Sequence, residues 1–132
     1  MKVAVDTNVL VRALVRDDPK QAAAADRVLK HATLIAVSLP CLCELFWVLR
    51  RLYGFEPATI ATAIRALLGT ENVVMNRPAV EAGLALVDAG GDFADGVIAY
   101  EGTWLGAETF VSFDKKATSL LKKQGEAVQL LS

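Results

Sequence analysis

Five acidic residues stand where an acid has chemical consequences: Asp6, Glu44, Asp92, Asp95 and Asp114. Asp6 follows the apolar run "KVAV", and Asp114 follows "TFVSF" and opens the next helical stretch. Asp92 and Asp95 precede or open the helical pattern "VIAYEGTWLG". Glu44 lies early in "PCLCELFWVLRRL", flanked by Leu42, Cys43, Leu45 and Phe46, so its carboxylate must face solvent, meet a cation or join a site. Arg50 and Arg51 are six and seven positions on, too far round a helix for the usual pair at three or four.

Each acid also has an ordinary structural use. Asp6 suits the cap of a helix starting near Val9, and Asp114 the cap of its own helix. Asp95 suits a first turn, where the helix dipole favours an acid, and Asp92 reads first as the cap of that helix. Together they say more. Two unit charges about 4 Å apart repel by about 4 kcal/mol at an effective dielectric of about 20, a cost a fold tolerates when a divalent cation is the intended occupant. Oxygen ligands alone suit Mg²⁺ or Mn²⁺ rather than Zn²⁺. His31 is the only histidine, and with Cys41 and Cys43 it falls short of any zinc-finger spacing. A hard cation of this kind clamps a phosphodiester and activates water against it.

The elements that must position these acids follow from the patterning. Short apolar runs ("KVAV", "TLIAVS", "NVVMN", "ETFVSF", "AVQLL") alternate with helical stretches, which predicts βαβ units and a parallel sheet covered by helices on both faces. Pro19, Pro40, Pro57 and Pro78 fall at helix beginnings, and Gly54, Gly69, Gly90 and Gly125 near helix ends. Such a sheet places its ligand site beyond the carboxyl ends of its strands, where Asp6 and Asp114 fall.

A length of 132 residues, with 54% hydrophobic residues, suits one domain with a real core. A net charge of −1 gives no global basic field, so an anionic partner must be held by local cations or by a metal. Arg12, Arg16, Lys115 and Lys116 are the candidates for holding a phosphate backbone, with an ordinary solvated face as the alternative. Cys41 and Cys43 point to different faces of one helix and read as reduced packing residues. With no apolar stretch of bilayer length, and strand-like sequence directly after Met1, the expectation is a cytoplasmic protein without signal peptide or membrane anchor.

"VDTNVLV" at Val5 to Val11, "LCELFWVLRR" at Leu42 to Arg51, "DFADGVIA" at Asp92 to Ala99 and "SFDKKA" at Ser112 to Ala117 occur in the order and spacing of the acidic motifs of PIN-domain ribonucleases. Within that superfamily the chain resembles the VapC-type toxins of toxin–antitoxin pairs. The resemblance implies a single PIN-like domain over residues 1–132, an α/β three-layer fold with a central parallel sheet of about four to five strands flanked by helices. It implies Asp6, Glu44, Asp95 and Asp114 as the quartet that holds Mg²⁺ or Mn²⁺ and carries catalysis. Asn8 and Ser112 match supporting polar positions, and Asp92 a position often acidic in the family. Gly96 departs from the alanine or other helix former more usual after the third aspartate, which suggests a looser helix there. The implied activity is endonucleolytic hydrolysis of RNA by metal-activated water. The implied partners are a small antitoxin and a second copy of the chain, with "IATAIRALLG" and "LFWVLRRLYGF" as faces for a dimer or for the core. Two other classes fit less well. A haloacid-dehalogenase-like phosphatase or a receiver domain needs further acids near the first strand, where this chain has Asn8. A catalytically idle binding module would have no use for an intact quartet.

Overall fold

The computed structural model describes residues 1–132 as seven helices and five short strands. The chain divides into two compact units, Met1–Asn76 and Arg77–Ser132. The five strands that the sequence suggests are present, and all their pairings are parallel. They form a sheet of three in the first unit and a separate sheet of two in the second. The alternation of apolar runs counts strands, but it carries no information on which edges pair.

In the first unit, β1 (Lys2–Ala4) leads through α1 (Thr7–Val15) and α2 (Pro19–His31) to β2 (Leu34–Ala36). The chain then runs through α3 (Leu39–Arg51) and α4 (Pro57–Leu68) to β3 (Val73–Val74). β2 is central, pairing Val3 with Ile35 on one side and Ile35 with Val73 on the other. Leu10, Ile35, Leu42, Leu45, Ile60 and Ile64 are fully buried. The face of α3 that carries Leu42, Leu45, Phe46 and Leu49 is therefore core, as is the Ile60–Ile64 face of α4. Pro19 and Pro57 open α2 and α4, and Pro40 lies at the second position of α3, where a missing N–H costs least.

The second unit runs from α5 (Arg77–Asp88) and α6 (Phe93–Trp104) to β4 (Phe110–Ser112), α7 (Lys115–Lys123) and β5 (Val128–Leu130). β4 pairs with β5, Val111 opposite Gln129. The α5–α6 crossing is unusually close. A Cβ built on Gly96 would lie 2.7 Å from the Ala82 carbonyl oxygen and 2.8 Å from Gly83 Cα. A Cβ on Gly83 would meet the buried Phe93 ring at 2.7 Å and Val97 at 3.0 Å. Gly96 therefore does not loosen α6, contrary to the expectation from its low helix propensity; its missing side chain lets α5 seat against the turn that carries Asp95.

No helix is long and apolar enough to cross a membrane.

Candidate functional site

One construction recurs at the strand-to-helix joints. Two residues past the end of β1, β2, β3 and β4 stand Asp6, Ser38, Asn76 and Asp114, each immediately before a helix. Side chains make the cap: Asp6 Oδ1 accepts from the Thr7 N–H at 2.7 Å, Ser38 Oγ from the Cys41 N–H at 3.3 Å, and Asp114 Oδ1 from the Ala117 N–H at 2.9 Å. The helix-cap use of Asp6 and Asp114 is thus real, and it leaves the second oxygen of each carboxylate free. Both side chains belong to exposed residues.

In the first unit, Asp6 and Glu44 form one acidic group. Glu44 is exposed on α3, three residues after Cys41, whose buried thiol lies within the electrostatic reach of both carboxylates. Burial foremost, and then Asp6 and Glu44, push the Cys41 thiol up, while its hydrogen bond with Thr7 offsets part of the shift. The shift favours the neutral thiol beside these two acids. The sequence marks Cys41 only as packing; its spacing of three from Glu44 is the signal that it floors this group. Asn8 is exposed and lines a groove of about 480 Å³ between α1 and α2, together with Val9, Arg12, Gln21 and Ala24.

In the second unit, Asp92, Asp95 and Asp114 form another group. Asp95 is half-buried in the first turn of α6, and its carboxyl is held above the ordinary range, first by burial and then by the charges of Asp92 and Asp114. Asp92 occupies the cap position of α6 but makes no capping hydrogen bond, so the cap reading does not account for its acid. Ser112 at the end of β4 accepts the Asp114 N–H at 2.9 Å, which fixes the backbone from which that carboxylate projects. None of Asp6, Glu44, Asp92, Asp95 and Asp114 is ion-paired with a lysine or arginine.

The candidate cations sort into two kinds. Arg12 pairs with Asp17 at 2.9 Å and also donates to Gln21 and to the Tyr53 hydroxyl, and Arg16 grips Asp26 through two bonds of 3.0 and 2.7 Å. Both tie the α1–α2 joint through exposed ion pairs, a structural use alongside the phosphate-holding one that their charge suggests. Lys115 and Lys116 are exposed in the first turn of α7 and form no ion pair.

In each unit, then, unpaired like-charged carboxylates stand at or near a strand-to-helix joint of an α/β fold. The chain belongs to the PIN domain family, whose model matches residues 3–121. PIN domains are generally nucleases, hence hydrolases, and typically use divalent metals. No curated protein matches this chain. The donor chemistry fits such an ion. Every candidate ligand is a carboxylate, and Asp95, raised first by burial and then by repulsion from Asp92 and Asp114, is the kind of group whose charge a bound cation favours. No three His, Cys, Asp or Glu side chains converge in this structure so as to hold a metal ion.

Proposed function

We propose that this PIN-domain protein is a metal-dependent endoribonuclease of the VapC type, the toxin of a toxin–antitoxin pair. Asp6, Glu44, Asp95 and Asp114 are its Mg²⁺ or Mn²⁺ ligands. The observation that carries the reading is Asp95 itself: half-buried, pressed by Asp92 and Asp114, and given no counter-cation by the protein. A fold that needed only a first-turn acid would place it in solvent or beside a lysine.

When bound, the cation offsets the carboxylates, polarises the phosphodiester and supplies the positive charge that favours ionised water as nucleophile. The chain's own residues do the rest. Asp6 and Asp114 are held in fixed rotamers by the N–H groups they cap, so their free oxygens are preorganised. Gly96 and Gly83 set the height of the turn that presents Asp95. Ser112 holds the Asp114 backbone, Asn8 is a neutral polar contact beside Asp6, and Lys115 serves the substrate's phosphates. A cytoplasmic antitoxin and a second copy of the chain complete the reading. Exposed Leu52 and Leu105 offer apolar surface for such contacts.

The test is Mn²⁺-dependent cleavage of a structured RNA by the purified chain. Asp6→Asn, Glu44→Gln, Asp95→Asn and Asp114→Asn should each abolish it, and Asp92→Asn should weaken it. Induction of the chain alone should arrest growth, and Asp95→Asn at matched levels should not. Cleavage that survives Asp6→Asn, or that chelator leaves untouched, refutes the metal reading; a harmless wild type refutes the toxin reading.

A further inference from the structure

Glu44 does not stand alone on its face of α3. Trp47 follows three residues on and Arg51 four beyond that, so helical spacing lines up acid, indole and guanidinium along one stripe. The run from Glu44 to Arg51 covers about 10 Å of helix. The opposite face, with Leu42, Leu45 and Leu49, is core, so Trp47 is aimed outward by the same periodicity that builds the fold. Its side chain is 56% exposed, makes no ring contact and donates no hydrogen bond. Arg51 pairs with no acid, while Arg50 beside it donates to the Phe55 carbonyl. Glu44 is the only acid in the helix, and its last turn carries both arginines.

We propose that Trp47 is a stacking platform for a base of single-stranded RNA, with Arg51 as the accompanying phosphate contact. The helix that carries Glu44 would thereby hold a nucleotide beside that carboxylate. This rests on the nuclease reading and adds to it a base-stacking contact on α3, outside the acidic residues themselves. The chemistry matches feature by feature. An indole face stacks on any base, a free guanidinium answers the phosphate that follows, and the stripe interleaves charge with its one aromatic. The other tryptophan differs. Trp104 donates its indole N–H to Tyr100 at 2.7 Å and lies nine residues beyond Asp95, about 13 Å along α6.

The experiment uses the full chain as Trp104→Phe, which leaves Trp47 the sole indole. An unstructured oligoribonucleotide, titrated in chelator so that it is not cut, should quench Trp47 fluorescence, and the same sequence as a duplex should not. Trp47→Ala should weaken binding of the labelled oligonucleotide roughly 5- to 100-fold, the worth of one base–aromatic stack, and Trp47→Phe should recover most of it. Arg51→Gln should lower the slope of log K against log salt by about 0.7. Absent quenching, equal quenching by duplex, or wild-type affinity in Trp47→Ala overturns the proposal. So does a Trp47→Ala protein that loses self-association while binding RNA normally, for then the face is a contact between copies. Cleavage in Mn²⁺ keeps the two readings apart. Quenching without cleavage by the wild type refutes the nuclease and supports the stack, whereas cleavage with a Trp47→Ala protein of unchanged KM and affinity refutes the stack alone.

Discussion

Replacing Gly96 with alanine should destabilise this protein, the reverse of what glycine-to-alanine does inside most helices. The ordinary change gains about 1 kcal/mol, because alanine gives up less backbone freedom on folding. At Gly96 the new Cβ would lie 2.7 Å from the Ala82 carbonyl oxygen, 2.8 Å from Gly83 Cα and 3.1 Å from Leu86 Cβ. The first two are backbone atoms that no rotamer change can move, so α5 must shift away from α6. Overpacking of this sort costs about 1–3 kcal/mol, and two backbone contacts place it towards the upper end. After the propensity gain, the net loss is about 1–2 kcal/mol, or roughly 4–8 °C in Tm for a chain of this size. Gly102, in the same helix, supplies the control. Its Cβ would meet nothing nearer than Ala107 Cβ at 3.9 Å, so Gly102→Ala should raise stability by about 0.5–1 kcal/mol. Urea and thermal melts of the two variants beside wild type measure both. If Gly96→Ala stabilises as much as Gly102→Ala, the close crossing is wrong, and with it the account of how Asp95 is presented.

Asp95 is raised above its ordinary 3.8, so its neutral form suits the folded state, and its contribution to stability is present below 3.8 and lost as pH climbs through the raised folded-state value. In chelator, Asp95→Asn should therefore gain on wild type over that rise, and melts at pH 3 to 7 that stay parallel would contradict the cause assigned to the shift. In a Cys43→Ser background, Asp6→Asn and Glu44→Gln should each bring Cys41 modestly down and speed its alkylation, while leaving it slow because burial dominates; no change in either would remove the acids from its surroundings. Arg12→Gln should leave the salt dependence of RNA binding unaltered, since Asp17 already holds that guanidinium, whereas Lys115→Gln should reduce it. For Asp6→Asn the metal-free melting temperature should hold or rise. Mn²⁺ at a hundredfold excess over its Kd should stabilise wild type by about 2.7 kcal/mol and the mutant by much less, and equal shifts would reject Asp6 as a ligand.

How much of this was legible beforehand depends on the range over which each feature is encoded. Helix starts at Pro19 and Pro57, the turn at Gly54 with its φ of +71°, and the acids two residues past β1 and β4 are local, and the sequence states them. Gly96 is not local. Its meaning comes from Gly83 on another helix, and propensity alone gives it the wrong sign. The role of Arg12 is hidden for the same reason, since its Tyr53 partner lies 41 residues away. Asp92 stands at the cap position that the sequence assigns it, but position is visible in a sequence and the missing side-chain hydrogen bond is not. The division of five strands into three and two depends on edge pairing, and a list of strands carries none of it. Trp47 shows the opposite case. Inside "LFWVL" it looks like core, yet Leu42, Leu45 and Leu49 already assign the buried face and leave Trp47 outside it.

The four strand-to-helix joints weigh capping against chemistry within one molecule. Ser38 and Asn76 hold the same place relative to strand and helix as Asp6 and Asp114, and both are neutral. Serine, asparagine and aspartate cap about equally well, so capping does not require charge at any of the four joints. A charge at Asp6 adds to that of Glu44, and one at Asp114 helps to press Asp95 towards its neutral form. A fold selected for helix starts alone would gain by making these two positions neutral as well. At both charged joints another acid is close by, which is where a charged cap is least useful and a cation most so. Asparagine at Asp6 or Asp114 is therefore the sharper substitution than alanine: it keeps the hydrogen bond that starts the helix and removes only the charge, so whatever is lost belongs to the site.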